Sequence, residues 1–283
     1  MKRIRIIHRT EYHYSTEVSF GPHQIMLRPR EGHDVHIDGA RLKVEPAAAV
    51  RWLRDIYGNS IAVLTFSEPA KKLAILSEVD VTLFDDDAQE FLIDPLAKSY
   101  PFQYAANEQV ELIPYRVPSY PHDGPTLQKW LQELYRPGDL INTFDLLKKL
   151  NTRIFESFRY EHRDEAGVQL PCKTLSQGSG SCRDFAVFMM EAARHWGLGA
   201  RFVSGYIQMA EGQHGATHAW VEIYLPGTGW RGFDPTNNKL AGAEHVSVSV
   251  AREHDKACPI AGSWAGPAEA FDRMEVSVQV IGL

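Results

Sequence analysis

Apolar and polar residues alternate along most of the first hundred or so residues, a pattern that is typical of half-buried β-strands. The alternation is clearest in the segments "KRIRI", "VHIDGARLKVEP" and "KLAILSEVDVTLF". One face of the third segment collects the apolar side chains Leu73, Ile75, Val79, Val81 and Leu83. In "DIYGNSIAVLTF" a Gly-Asn turn separates two apolar runs. Short strands joined by turns predict an N-terminal antiparallel β-sandwich-like domain over residues 1–110.

Prolines interrupt this pattern. Five of them fall between residues 101 and 125, which predicts a Pro-rich surface linker over residues 111–125. The apolar residues then take a helical period in "TLQKWLQELY" and "DLINTFDLLKKLNTRIFESFRY". Thr126 and Asp139 are the predicted N-caps of these two helices.

A third helix is predicted to begin at Cys182, because Cys182, Phe185, Met189, Ala192 and Trp196 recur along one helical stripe. Strand-like segments follow in "GLGARFVSGYIQ", "THAWVEIYLP" and "WRGFD", and "EHVSVSVARE" and "MEVSVQVI" end the chain. Helices followed by antiparallel strands indicate an α+β fold, with helices packed on an antiparallel sheet. We assign this second domain to residues 126–283.

Composition narrows the class of protein. The chain has 283 residues, a net charge of −6 and three cysteines without Cys-x-x-Cys spacing. A net negative charge does not favour binding to nucleic acid, and the odd cysteine count argues against a disulfide framework. The first residues, "MKRIRIIHRTEYHYS", lack the apolar run of a signal peptide, and no segment resembles a membrane span. We therefore expect a soluble protein of a reducing compartment, by default the cytoplasm, with no nucleic-acid or membrane partner.

The segment "GSGSCRDFA" places a cysteine at the start of the third helix. Ser181 and Asp184 form an S-x-x-D capping pattern, so Ser181 is the predicted N-cap and Cys182 the first helical residue. Unpaired N–H groups and the helix dipole favour the thiolate form of a cysteine at this position. A small buried apolar residue is the structural alternative for Cys182. Asp184 is expected to cap the helix and Arg183 to be exposed.

A catalytic thiol needs a base to share its proton and a third group to orient that base. His218 lies on the predicted strand "THAWVEIYLP", on the face opposite to its apolar side chains, and Asp234 ends the next strand. A symmetric hairpin would place Asp234 opposite Val221, on the wrong face to meet His218. We therefore predict a one-residue offset or a bulge in this hairpin, for which its glycines give room.

The segments "GSGSCRDFAVFMMEAARHWGLGARFVSGY" and "THAWVEIYLPGTGWRGFDPTNN" resemble the core of the transglutaminase-like superfamily of papain-like thiol enzymes. The "HAW" and "DPT" motifs are close matches. The N-terminal "HRTEYHYSTEVSFGPHQIMLRPRE" is similar to the β-domain that precedes this core in many bacterial members. The resemblance implies a papain-like core in which Cys182 is the nucleophile, His218 the base and Asp234 its orienting group.

The family also uses a second oxyanion donor upstream of the nucleophile. Gln177 is the candidate for that donor, with a solvent-facing loop residue as the alternative. Tyr160 and Trp220 are candidates for the substrate cleft, although a core or surface position for Tyr160 is the simpler reading. Eukaryotic members bind calcium, but the one acidic run here, Asp85-Asp86-Asp87, reads as a solvated turn. We expect no calcium dependence and no cofactor.

A metal site is the alternative role for the histidines and cysteines of this chain. His214 and His218 are four residues apart, and Cys172, His254 and Cys258 lie elsewhere in the chain. The i, i+4 spacing aligns ligands on a helix, whereas this segment reads as loop and strand, so we expect no metal.

The resemblance implies acyl transfer through a Cys182 thioester in a bacterial protein that acts on a protein or peptide substrate. Hydrolysis makes the protein a cysteine peptidase or amidase, and transfer to an amine makes it a transglutaminase. An inactive binding or assembly module is the alternative of another class. The sequence leaves the oligomeric state open.

Overall fold

The computed structural model describes residues 1–84, 92–163, 165–208 and 216–283. Strands are numbered here in chain order. The largest N-terminal sheet is antiparallel, with strand order β17-β1-β6-β3 and β18 also paired to β1. Its strands are β1 (Lys2–Phe20), β3 (Val35–Glu45), β6 (Ala70–Leu83), β17 (Trp264–Ala265) and β18 (Phe271–Gly282). A second antiparallel sheet has the order β16-β2-β5-β4. It consists of β2 (His23–Ile25), β4 (Ala48–Arg54), β5 (Ser60–Phe66) and β16 (Ile260–Ala261).

The predicted apolar face of β6 is buried, and its two ends pack against different parts of the protein. Leu73 and Ile75 pack in a cluster between the two N-terminal sheets. Val79 and Val81 pack farther along with Tyr206 of the C-terminal sheet. The larger sheet is curled. Register shifts in β1 and β3 accompany this curvature, as β-bulges do in other sheets. The antiparallel strands are confirmed, whereas a simple two-sheet sandwich is not.

In the amino-acid sequence, the helices fall between β6 of the N-terminal sheet and the first strand of the C-terminal sheet. They are α1 (Ala106–Arg116), α2 (Gly124–Leu131), α3 (Thr143–Ser157), α4 (Pro171–Gln177) and α5 (Cys182–His195). Short strands β7 (Ser99–Tyr100), β8 (Ile141–Asn142), β9 (Arg159–Tyr160) and β10 (Ser179–Gly180) connect them, and 3-10 turns span Pro95–Ala97, Pro121–Asp123, His254–Ala257 and Ala268–Ala270.

Two predicted helix starts and the linker need correction. The second helix predicted from the sequence corresponds to α3. It begins after Asn142, whose side chain accepts hydrogen bonds from the first-turn N–H groups. Asp139 is therefore not its cap. Helix α2 begins at Gly124, ahead of Thr126, because Pro125 fits the first turn of a helix. Residues 111–125 are not a simple linker, since α1 runs through their first half with Pro114 inside it.

The C-terminal sheet and α5 form the largest core cluster. The sheet is antiparallel with the order β14-β13-β12-β11-β15, formed by β11 (Ala200–Ile207), β12 (Ala216–Leu225), β13 (Gly229–Asp234), β14 (Lys239–Leu240) and β15 (His245–Ala251). Every residue of α5 from Asp184 to Arg194 is buried. A helix that is covered on all sides belongs to the interior rather than to one amphipathic surface. The central position of α5 fixes its first residue, Cys182, against the surrounding elements.

The last strands of the predicted second domain, residues 126–283, pair with strands of the N-terminal sheets. Strand β18 pairs with β1 along almost its whole length, and β16 and β17 pair with β2 and β1. The last strands therefore return to the N-terminal sheets. Pairing between distant segments leaves no local signal in the chain, which is why the sequence pattern showed strands there but not their partners.

Asn59 holds the N-terminal region to the C-terminal sheet. Its fully buried amide donates to the carbonyl of Val250 at 2.8 Å and accepts from the Val250 N–H at 3.0 Å. Within the described ranges, Val250 lies on the edge strand β15, which pairs in the sheet only with β11. The Asn59 side chain thus continues the hydrogen bonding of that strand.

We expect Asn59→Ala to lower the free energy of unfolding by about 2–3 kcal/mol, because two buried backbone groups of Val250 lose their partner. Urea unfolding at neutral pH measures the change. Asn107→Ala, at an exposed position of α1, is the control and should cost no more than about 0.5 kcal/mol. Equal losses in the two variants would show that Asn59 does not join the two regions.

Among the described residues, no helix combines the length and apolar character that a bilayer-spanning helix requires.

Candidate active site

Helix α5 begins at the predicted residue. Ser181 is the N-cap and Cys182 the first helical residue. The Asp184 carboxylate accepts from the Ser181 N–H at 2.8 Å and from the Ser181 hydroxyl at 2.9 Å. Cys182 is half-buried. This confirms the S-x-x-D interpretation and leaves part of the thiol side chain accessible to solvent.

The two glycines of "GSGSC" serve different purposes. Gly178 follows α4 with φ of +64°, the left-handed conformation that ends helices and favours glycine. Gly180 has an ordinary backbone, but a Cβ there would lie 3.0 Å from the Asp184 Cβ and 3.2 Å from Phe185. The first glycine therefore turns the chain out of α4, and the second lets it pass close to the start of α5.

Asp184 is more than a helix cap. It is completely buried and also accepts from the Gln169 N–H at 2.6 Å and from Arg163 Nη1 at 2.7 and 2.8 Å. Burial works against ionisation, but the hydrogen bonds from Arg163, Gln169 and Ser181 outweigh it and lower the pKa of Asp184. The carboxylate thus ties the loop before Cys182 to Arg163 and Gln169. Arg183 is half-buried rather than exposed, and it donates to the carbonyl of Arg163 at 2.9 Å.

The hairpin of β12 and β13 has the predicted one-residue offset. Leu225 pairs with Gly229 across a three-residue loop, and Val221 pairs with Phe233 instead of Asp234. Gly229 has φ of +80°, as three-residue hairpin loops with a left-handed glycine require. The next residues along the strands, Trp220 and Asp234, therefore share a face, and His218 lies on that face two residues before Trp220.

His218 and Asp234 are in direct contact. His218 Nε2 lies 2.8 Å from Asp234 Oδ2, and their side chains are 7% and 0% exposed. An ionised carboxylate only accepts, so Nε2 carries the proton and Nδ1 is the nitrogen left for Cys182. Burial alone would lower the pKa of His218, but hydrogen bonds to Asp234 and to the Cys182 thiol outweigh it and raise this pKa. The strand face opposite to the apolar side chains of β12 is therefore not open to solvent at His218, because its ring is buried.

The loop after β13 holds the carboxylate in place. Asp234 Oδ1 accepts from the Thr236 and Asn237 N–H groups at 3.0 and 3.2 Å, and Oδ2 accepts from Asn237 Nδ2 at 2.7 Å. Burial opposes ionisation of Asp234, but its hydrogen bonds from histidine and amide donors lower its pKa. Asn238, at φ of +51°, accepts from Thr152 of α3 at 2.9 Å and so anchors this loop.

Sequence reasoning missed His245, which donates to the same carboxylate oxygen. His245 Nε2 lies 3.0 Å from Asp234 Oδ2, and its side chain is 3% exposed. The residue starts β15, which reaches the site by pairing with β11 rather than with β13 or β14. No motif marks His245 in the sequence, and only the order of strands in the sheet could have found it.

The three less specific candidates have different surroundings. Tyr160 is half exposed and sits opposite Gly180 in the β9–β10 pair. Burial of part of its ring and the nearby Cys182 sulfur raise the pKa of Tyr160, so Tyr160 lies beside Cys182. Gln177 is exposed at the end of α4, and its oxyanion role stays a prediction.

Trp220, the third candidate, is largely buried, and its role in a substrate cleft stays a prediction. Its side chain is 2% exposed and packs in a small core cluster with Val203 and Val250. The indole stacks on His218 at 6.1 Å between ring centroids and meets His245 edge-on at 5.2 Å. Trp220 therefore packs against both histidine rings, and it is one of the residues that line a small cleft beside His245.

Two groups of described residues have the spacing to hold a metal ion. One consists of His218, Asp234 and His245, and the other of Glu11, His13 and Glu275. In the first group both ring nitrogens already point at one carboxylate oxygen, so an ion would have to replace these hydrogen bonds. In the second, Glu11 is paired with Lys72 at 2.9 Å and with Arg9.

The remaining candidates for metals lie elsewhere or outside the described residues. His214 and the run Asp85-Asp86-Asp87 fall outside them. Cys172, Cys182 and Cys258 are all free cysteines. His254 and Cys258 are neighbours, with the thiol 3.8 Å from the His254 carbonyl oxygen.

Comparison with known families agrees with this geometry. Residues 4–82 match a bacterial transglutaminase-like N-terminal region, and residues 138–235 match the transglutaminase-like superfamily. The second match contains Cys182, His218 and Asp234, and together the two span more than half of the chain. The chain belongs to the transglutaminase-like superfamily. Membership confirms the resemblance seen in the sequence and supports a thiol enzyme of this superfamily.

Relatives of this superfamily member are bacterial. An uncharacterized protein of Mycobacterium tuberculosis (strain ATCC 25618 / H37Rv) is 27% identical over 282 residues, covering 92% of this chain and 87% of that protein. One from Mycobacterium leprae is 32% identical over 98 residues, covering 32% of this chain and 34% of that protein. A crystal structure from Cytophaga hutchinsonii, named a "putative cysteine protease", superimposes with a TM-score of 0.72 at 19% identity and covers 99% of this chain and 90% of that one. That likeness concerns the fold.

Proposed function

We propose that this protein is a thiol hydrolase that cleaves peptide or carboxamide bonds through a thioester on Cys182. The observation that carries the proposal is the buried contact of His218 Nε2 with Asp234 Oδ2 at 2.8 Å, together with the influence of the Cys182 thiol, which helps to raise the pKa of His218. This order of nucleophile, base and orienting carboxylate is what covalent acyl transfer requires.

In the acylation step, the Cys182 thiolate attacks the carbonyl carbon and the π electrons move onto the carbonyl oxygen. As the oxyanion collapses, the C–N bond breaks and His218 Nδ1 gives its proton to the leaving amine. In deacylation, neutral His218 takes a proton from water, the hydroxide attacks the thioester, and the C–S bond breaks to restore the thiolate. Asp234 keeps the other ring nitrogen protonated and stabilises the imidazolium in both steps.

The oxyanion would be held at the start of α5. The Cys182 N–H is one of the first-turn groups that have no partner within the helix, and the helix dipole adds to its attraction for negative charge. Gln177 remains the proposed second donor, and its exposed side chain would have to turn toward Cys182 when substrate binds. A donor at such a site contributes about 3 kcal/mol to the transition state in well-studied cases.

Partial exposure of the nucleophile favours water over an amine as the acyl acceptor. Cys182 is half-buried and Tyr160 beside it is half exposed. A thioester formed there would be open to solvent from that side. Transfer to an amine at a useful rate requires a site that keeps water away from the thioester.

Products distinguish the two reactions. We would incubate the protein with a peptide library in water enriched in oxygen-18, and separately with a glutamine-containing protein and a fluorescent primary amine. We expect labelled new carboxyl groups and no incorporated amine, with both signals absent in Cys182→Ala. Cys172→Ala is the matched control, because Cys172 is also free and half-buried at the start of a helix.

Incorporated amine without new carboxyl groups would make the protein a transglutaminase instead. Hydrolysis that persists in Cys182→Ala would contradict the proposed thiol mechanism. A folded wild type that acts on neither probe, and whose Cys182 reacts like Cys172, would favour the binding or assembly module.

A further inference from the structure

Two histidines share one oxygen of Asp234, although the proposed mechanism uses only one of them. His218 Nε2 and His245 Nε2 lie 2.8 and 3.0 Å from Asp234 Oδ2. We propose that His245 is a positioning residue that limits how strongly Asp234 holds the proton on His218. The inference rests on the proposed function, since it concerns the base of that reaction.

The sheet brings the second histidine to the site by an indirect route. In β11, Gly205 pairs with His218 of β12 and Ile207 pairs with His245 of β15. Gly205 and Ile207 are two residues apart, so both histidines point to the same face. A Cβ on Gly205 would lie 2.7 Å from the Trp220 ring. The glycine therefore makes room for the indole that packs against both imidazoles.

His245 uses one of its two ring nitrogens to hold Asp234. The ionised carboxylate of Asp234 can only accept, so its contact with His245 requires a proton on His245 Nε2. Among the described residues, His245 Nδ1 has no hydrogen-bond partner and is shielded from solvent. His245 thus acts on Asp234 through a single N–H donor.

A second donor on the same oxygen weakens the attraction between Asp234 and the His218 imidazolium. His218, His245 and Asn237 all donate to Oδ2, and each donor stabilises negative charge that would otherwise act on the others. In the acyl-enzyme the thiolate is gone, and His218 must be neutral to accept a proton from water. Sharing Asp234 with His245 therefore extends the range of pH in which deacylation can proceed.

Other ionisable groups face this part of the site and must be considered in any titration. Glu244 precedes His245 and is paired with Lys239 at 2.7 Å. A small cleft that His245 helps to line also contains Asp34, Glu222 and Arg231. The test below keeps all of these groups, together with Asp234 and Asn237, unchanged between variants.

The test compares two amides at position 245. The Nε2 of glutamine falls where the histidine Nε2 lies, whereas asparagine is one methylene shorter and cannot reach Asp234. We would label the imidazoles with nitrogen-15 in Cys182→Ala, which lacks the thiolate as the acyl-enzyme does, and follow the His218 titration by NMR. We expect H245N to raise the midpoint of His218 by about 0.5–1 pH unit. We expect H245Q to return it to within about 0.2 unit of the parent.

An unchanged or lowered His218 midpoint in H245N, or equal shifts in the two amide variants, would overturn the proposal. His245→Leu provides a second comparison if H245N fails to fold, with the same expected rise. The titration needs no substrate, so its outcome is separate from that of the proposed function. A rise in the midpoint with no hydrolysis in the product assay would contradict the reaction but not the role of His245.

Discussion

Replacing Asp184 with alanine is expected to lower the free energy of unfolding by about 3–5 kcal/mol, because the change leaves buried partners without an acceptor. The carboxylate is fully buried and holds Arg163, the Gln169 N–H and both donors of Ser181. Arg163 is itself 17% exposed in its side chain, so solvent replaces only part of what it loses. Urea unfolding at neutral pH measures the effect.

Asp145→Ala is a matched control for this prediction. Asp145 is also the third residue of its helix, α3, but its side chain is 53% exposed. Its removal should cost less than about 1 kcal/mol, the range for an exposed first-turn carboxylate. Similar losses in Asp184→Ala and Asp145→Ala would show that Asp184 acts only as a helix cap.

The contribution of Asp184 should also depend on pH in a defined direction. Its pKa in the folded protein is lowered, so the carboxylate stabilises the fold above its unfolded pKa of about 4. That stability is lost as the pH falls through the lowered folded pKa. The difference between wild type and Asp184→Ala should therefore shrink in acid.

The second large effect is expected in His218→Asn, which should lower kcat/KM for a hydrolysed peptide by about a thousandfold or more. Asparagine fills part of the same space, but it cannot take a proton from Cys182 or give one to the leaving amine. The residual rate would come from the oxyanion donors and substrate binding alone. Initial rates on a peptide identified by the product assay measure the loss.

His195→Asn is the control for this change. His195 is a partly buried histidine at the other end of α5, where it lines a cleft with Tyr120 and Glu191. Its replacement should leave kcat/KM within about twofold, since it contacts none of the reacting groups. A loss of rate that is equally large in His195→Asn would point to destabilisation rather than to lost proton transfer.

The start of α5 and the order of chemical groups could be predicted from the sequence because each depends on a local pattern. Ser181 and Asp184 mark the helix start, and "HAW" and "DPT" mark the strands that carry His218 and Asp234. Even the offset hairpin followed from local reasoning, because only one parity of pairing lets His218 and Asp234 meet.

The features that were missed depend on contacts between distant parts of the chain. His245 reaches Asp234 because β15 crosses to pair with β11, and β18 joins β1 at the opposite end of the chain. Burial of Trp220 comes from neighbours on other strands. A period of two predicts which residues share a face, but it does not predict what covers that face.

The central claim is that His218 activates Cys182, and the rate of Cys182 alkylation against pH tests it most directly. Iodoacetamide modification of each cysteine would be located by mass spectrometry in wild type and in His218→Asn. Cys172 is an internal reference, because burial raises the pKa of its thiol and its described hydrogen bonds involve Asp123 and Thr126 rather than a histidine.

We predict that at about pH 6.5, which is below the ordinary pKa of a thiol, wild-type Cys182 reacts about tenfold faster than Cys172 or more. His218→Asn should abolish that advantage while Cys172 keeps its rate. The same pH course for Cys182 and Cys172 in the wild type, or an advantage that persists in His218→Asn, would contradict the account.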